Sequence, residues 1–188
     1  MRAIPLDVSS QTDEQLAADA AREGSDGPAF QCLLGRFRQR VWRICFRLLG
    51  NETDTNDAAQ EVFVQLFLNR GNFEGRSKYS TWVHSVAVRT CLMFRRSRGR
   101  RRKHEITDLE EFHTATKESK RAKPDLGMDL MTILETLNEK DRAMLILKHA
   151  EGYSYEDLGD IFDLSVSACK MRLSRAKDKL KQQFPDQI

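Results

Sequence analysis

Glycine and proline are scarce, ten and four among 188 residues. Strand-like alternation of apolar and polar residues is nearly absent as well, so the chain is expected to be all-α. Cysteine is scattered: Cys32, Cys45, Cys91 and Cys169 form no C-x-x-C pair. That argues against a disulfide framework or a zinc site and reads as reduced, buried thiols in a cytoplasmic protein. No apolar run approaches the roughly 18 residues that a bilayer span needs, so membrane insertion is not expected. The N-terminus lacks a basic segment leading into an apolar core, so no signal peptide is visible. Also missing are a phosphate-cradling glycine loop, a metal-ligand spacing and a recognisable nucleophile–base pair. Catalytic residues, metal and cofactor are therefore all expected to be none.

What is present is charge and helical periodicity. Charged residues make up 31% and apolar ones 40%, with a net charge of only +3. The distribution says more than the total: Arg95, Arg96, Arg98, Arg100, Arg101, Arg102 and Lys103 are crowded together. Such a run is a candidate for nucleic-acid phosphates. Thr12 and Gln15 suggest a capping box that opens a short helix ending near Gly24. Pro28 suits the first turn of a second helix carrying Phe30, Leu33, Phe37, Val41, Ile44, Cys45 and Leu48, which stops near Gly50. Polar Asn51 to Asn56 reads as a loop. A third helix turns Ala59, Val62, Phe63, Leu66 and Phe67 inward. After a glycine-bearing loop, a fourth bears Tyr79, Trp82, Val83, Val86, Ala87 and Phe94 and runs into the arginine cluster. From His104 to about Gly127 periodicity fades, which reads as a linker. The expected organisation is thus a four-helix unit over 1–103, a linker over 104–127 and a helical unit over 128–188.

The segment from Gly152 to Ala176 reads as helix, tight turn and second helix. Ser154 with Asp157 resembles a capping box, and Leu158, Ile161 and Phe162 make one apolar face. Asp163 stands where the chain must turn, often with positive φ. Ser165 can cap the second helix, in which Val166, Cys169, Leu173 and Ala176 fall on an inner face. Ser167, Ala168, Lys170, Met171, Arg172 and Arg175 are left outside. The pattern is a helix-turn-helix whose second helix suits a DNA major groove.

Taken with Asp57-Ala58-Ala59-Gln60-Glu61-Val62-Phe63 and with Phe73-Glu74-Gly75-Arg76-Ser77-Lys78-Tyr79-Ser80-Thr81-Trp82-Val83, this unit resembles the extracytoplasmic-function sigma factors. The likeness covers about Thr12 to Phe184. It implies an N-terminal region 2 that grips bacterial core RNA polymerase and opens the −10 element. It implies a C-terminal region 4 that reads the −35 element as duplex, and an anti-sigma factor as a further partner. On that reading Asp57, Gln60, Glu61 and Gln65 face the polymerase. Gly75, Arg76, Ser77, Lys78, Trp82, His84, Ser85, Arg89, Arg95 and Arg96 face the −10 region and its backbone. Ser165, Ser167, Ala168, Lys170, Met171, Arg172 and Arg175 face the −35 duplex. In the family the Asn72 to Lys78 loop captures a flipped base, and flat aromatic surfaces would help to hold it. Phe73 itself is expected in the core, and Trp82 both in the core and beside DNA.

The chain departs from the family pattern at Asn138, where proline is common, at Arg89, where asparagine is frequent, and at Ala168-Cys169, which replaces a Thr-Val pair. These departures suggest altered promoter preference. The competing reading is a stand-alone helix-turn-helix regulator, which would bind a symmetric operator unaided.

Overall fold

The computed structural model describes residues 8–23, 27–110 and 130–185, and the side chains of 100–110, 130 and 131 lie outside that description. Eight α-helices and one short 3-10 turn are found there, with no strand among the described residues. Four helices build the N-terminal unit: α1 (Asp13–Arg22), α2 (Pro28–Leu49), α3 (Glu52–Leu68) and α4 (Tyr79–Glu110). The C-terminal unit holds α5 (Leu130–Leu134), α6 (Glu139–Ala150), α7 (Tyr155–Phe162) and α8 (Val166–Gln183).

The ends of these helices have local causes. Thr12 and Gln15 form the reciprocal capping box at α1. Pro28 sits in the first turn of α2, and Gly50 closes that helix in the left-handed region at φ 76. The polar stretch from Asn51 to Asn56 is helix rather than the expected loop. The Asn51 side chain caps Asp54 N–H at 2.9 Å, so the helix starts at once after the Gly50 turn. The first turn of α4 is held from a distance: Glu14 of α1 accepts the Tyr79 N–H at 3.1 Å. Helix α4 then runs seven residues into the stretch read as linker, to Glu110. The sequence offers no proline before Pro124 and no glycine between Gly99 and Gly127 to stop it. The rest of the expected linker, 111–127, lies outside the described residues, as do Gly24 and Pro124.

In the N-terminal unit α2, α3 and α4 pack mutually, with α1 across one end. Leu16, Val41, Ile44, Val62, Val83, Ala87 and Val88 are fully buried there. Cys45 and Cys91 are buried where α2 meets α4. The hydrogen bond between the two thiols, reinforced by burial, pushes the Cys91 pKa far up, so Cys91 is not a reactive thiolate. In the C-terminal unit Met144, Leu147, Leu158, Ile161, Cys169 and Leu173 form the centre. Gly159 allows α7 to turn tightly into α8, because a Cβ there would meet the Leu164 carbonyl oxygen at 2.7 Å.

The two units also touch each other. Helix α7 lies along α4, and α6 touches both α2 and α4. Thr81 Oγ1 donates to Asp157 at 3.3 Å, His84 bonds Tyr153, and Arg47 pairs with Glu151 at 2.9 Å. Arg96 of α4 lies 3.6 Å from Glu139 of α6.

Candidate nucleic-acid interface

The helix-turn-helix forms as its residues dictate. Ser154 Oγ accepts from Asp157 N–H at 3.0 Å, and the Asp157 carboxylate accepts from Ser154 N–H at 3.1 Å. Asp163 adopts φ 55 and ψ 56, the left-handed geometry that ends α7. Ser165 caps α8 by accepting from Ala168 N–H at 3.2 Å. Cys169, Leu173, Ala176 and Leu180 face the core, whereas Val166 is only half-buried.

The outer face of α8 carries Ser167, Lys170, Met171, Ser174 and Arg175, all exposed. These positions repeat at three and four residues, so they make one stripe along the helix. Ala168 is half-buried at the edge of that stripe. Ser165 and Ser167 lie 3.1 Å apart through their hydroxyls, and Arg175 leans on the Met171 sulfur at 3.5 Å. Arg172 is placed differently from the expectation. It is half-buried and ion-paired to Asp141, which ties α8 to α6. Its spacing from Cys169 and Leu173 turns it toward the flank of the unit, away from the exposed stripe.

In the N-terminal unit the loop before α4 builds a small aromatic-walled cavity. Phe73 meets the Tyr79 ring edge-on at 5.1 Å and the Trp82 ring at 5.8 Å. The cavity holds about 210 Å³ and is lined among others by Asn72, Arg76, Ser77, Trp82, Ser85 and Arg89. Gly75 takes φ 71, which lets the loop fold back. Arg76, Lys78 and Arg89 are exposed around it, Arg76 pairing with Glu74. Phe73, expected in the core, is half-buried and serves as a wall of the cavity, and Trp82 beside it is half-buried as well. Asp160 of α7 also borders the cavity.

His84 does not face outward, and Ser85 is buried at the wall of that cavity. His84 is 1% exposed and bonds Tyr153 through Nδ1, with burial and then Arg40 lowering its pKa to about 3. Ser85 is buried and donates to the Trp82 carbonyl at 2.7 Å. His84 sits one turn past Thr81, where α4 meets the C-terminal unit, so packing claims the side that the sequence left open. Arg95 and Arg96 are likewise engaged within the protein. Arg95 is half-buried and donates to the Leu48 carbonyl at 3.3 Å, and Arg96 reaches Glu139. Arg98 pairs with Asp54 at 2.8 Å. The side chains of Arg100 to Lys103 lie outside the described residues.

A cleft of about 500 Å³ between the units is lined by Arg95, Arg98 and Arg142 and by Asp54, Glu135 and Glu139. Its charges match in number and pair along its walls, Arg142 with Glu135 at 3.5 Å and Arg98 with Asp54 at 2.8 Å, so it offers no strong field for a charged small molecule. Burial, with Arg95 close by, lowers the pKa of Arg142. No group of acidic, histidine or cysteine side chains suited to a metal ion occurs among the described residues. No helix there is long and apolar enough to cross a membrane.

The third surface is the outer face of α3. Asp57 and Gln60 are exposed, and Gln65 donates to Glu61 at 2.6 Å along the same face. The structure adds Val64 and Leu68, 49% and 65% exposed, which the sequence reading did not single out. Counting three and four onward from Gln60 and Glu61 would have found them. On α2, Trp42 and Phe46 stack at 5.1 Å in the open, with Trp42 donating to Asn56 of α3.

With this geometry in hand, comparison with known proteins is informative. Residues 33–101 match the family model of Sigma-70 region 2, and residues 127–180 match that of Sigma-70, region 4. The ECF RNA polymerase sigma-E factor of Escherichia coli (strain K12) is 27% identical over 92% of this chain and 95% of its own length. Among solved structures, CnrH in complex with the cytosolic domain of CnrY covers 95% of this chain and 100% of its own at a TM-score of 0.65 and 21% identity. The sigma factor RpoE in complex with the anti-sigma factor NepR from Bartonella quintana covers 85% and 98% at a TM-score of 0.58 and 22% identity. These two likenesses are of fold. Two region models matched in order, over the two helical units just described, show that the chain belongs to the extracytoplasmic-function sigma factors, which bind bacterial RNA polymerase and direct it to promoters.

Proposed function

We propose that the two units divide promoter recognition between them. Residues 1–103 dock on the polymerase and open the −10 element, residues 128–188 read the −35 element as duplex, and the segment between them is the tether. The aromatic-walled cavity beside Trp82 carries this reading. A base taken out of the stack needs a flat apolar wall and polar groups at its rim. Phe73 and Trp82 supply the wall; Asn72, Arg76, Ser77 and Arg89 supply the rim. Gly75 shapes the loop, and Lys78 and Arg76 stand ready for backbone phosphates.

On α8 the exposed stripe of Ser167, Lys170, Met171 and Arg175 faces the major groove, its small N-terminal residues allowing close approach. Ser165 acts by capping, and Arg172 by holding α8 on α6. In α3, Asp57, Gln60, Glu61 and Gln65 with Val64 and Leu68 form a mixed polar and apolar stripe suited to another protein's helices. We assign it to the polymerase. Chemistry on nucleotides then belongs to the polymerase and not to this chain. Regulation by an anti-sigma factor is supported by the relative that is complexed with one. A stand-alone regulator is not favoured, because region 2 has no place in that scheme.

The test is promoter melting in reconstituted holoenzyme, read by permanganate reactivity of unpaired thymines. Replacing Phe73 or Trp82 with alanine removes stacking worth about 1–3 kcal/mol per base, so melting should fall about fivefold or more. Binding to core polymerase should be unchanged. Melting equal to that of the unaltered protein would remove the cavity from the mechanism.

A further inference from the structure

We propose that the buried contact between His84 and Tyr153 is a proton-sensitive latch, which holds the helix-turn-helix unit closed over helix α4. The geometry admits the imidazole in its neutral form only. The Tyr153 hydroxyl bonds Nδ1 of His84, and the charge of Arg40 of α2 lies near both groups. Burial raises the Tyr153 pKa and keeps its hydroxyl protonated, a donor for Nδ1 of the neutral ring. That leaves the ring proton on Nε2, a buried atom with no hydrogen-bond partner.

An imidazolium has two N–H groups and a positive charge, and the site accommodates neither. Nε2–H would remain without an acceptor. Nδ1–H would displace the hydroxyl proton, and the new charge would face Arg40 across a dry interface. The groups around the ring are few. Arg40 comes from α2, Tyr153 from the turn before α7 and Asp157 from α7 itself, with the Phe37 ring 6.3 Å away. Asp157 is the one anion that favours protonation, and its carboxylate already accepts from Ser154 and Thr81.

Closure also brings the helix-turn-helix unit to the edge of the surface that the promoter reading uses. Asp160 of α7 borders the aromatic cavity, and Thr81 on the same side of α4 is tied to Asp157. Opening the seam returns His84 to water and to its ordinary value near 6.5. The closed form, with a value lowered to about 3, takes up fewer protons than the open form. Closure is thus at full strength above about pH 6.5 and weakens steadily as pH falls below it. Between about pH 7.5 and about pH 5.5 the ratio of open to closed molecules should rise about tenfold.

The experiment needs neither polymerase nor DNA, so it stands or falls apart from the promoter reading. Dyes are placed on Arg43→Cys and Asp178→Cys in a Cys32→Ser chain, and single-molecule energy transfer is followed across that pH range. The expected result is a low-transfer population growing about tenfold relative to the high-transfer one. His84→Gln, which keeps a hydrogen-bonding amide but cannot titrate, should flatten the response. Tyr153→Phe should raise the open fraction at every pH while circular dichroism shows native helix content. A ratio that stays constant across the range would overturn the latch. So would a pH response that survives in His84→Gln, since another group would then carry it.

Discussion

Two arginines on one helix show how a single residue's surroundings decide its role. Arg172 and Arg175 are three positions apart on α8, one engaged with Asp141 and half-buried, the other exposed beside Met171. Arg172→Ala leaves the Asp141 carboxylate, which is largely covered, without its cation. It should lower the stability of the C-terminal unit by about 1 kcal/mol, read as an earlier urea midpoint. Arg175→Ala should leave that midpoint in place and instead weaken discrimination among −35 sequences by about 1–3 kcal/mol, read by competition binding in holoenzyme. If both variants shift stability and neither shifts specificity, the assignment of the exposed stripe is wrong. The sequence placed both arginines outside the core and assigned both to the −35 duplex. Asp141, 31 residues from Arg172, is what separates them, and no local pattern announces that pairing.

At the scale of elements, local signals carried well. The caps at Thr12, Ser154 and Ser165, the left-handed Asp163 and the apolar faces of α7 and α8 are set by residues within a turn of each other, so the sequence exposes them. Boundaries were harder where one residue overrides composition. Asn51 turns a polar stretch into the start of α3 by capping it. The α3 face was legible in its polar members but not in Val64 and Leu68, because an exposed apolar residue looks like a core residue until its helix is docked. Those two carry a direct test. Val64→Glu and Leu68→Glu should reduce affinity for core polymerase at least tenfold, read by fluorescence anisotropy of labelled protein. Thermal unfolding should be unchanged, since neither side chain packs inside. An unaltered affinity would move the docking surface elsewhere, with the exposed Trp42–Phe46 pair the next place to look.

For the whole molecule the decisive relations are long-range. His84 meets Tyr153 across 69 residues and Thr81 meets Asp157 across 76. The family resemblance offered His84 to DNA; only the packed units reveal that its side of α4 is a seam. The same distance hid the engagement of Arg95 with Leu48 and of Arg96 with Glu139. On the proposed division of labour, two helical bodies that close on each other would part before each reaches its own stretch of promoter. A larger scaffold that grips α3 would hold them apart. The most direct measurement is run-off transcription from a promoter library with core polymerase, supplied with this chain or without it. The account predicts transcripts that depend on the chain and share upstream sequence at two spaced elements. Tight binding of the chain alone to a palindromic site, with no gain in transcription from core polymerase, would contradict it.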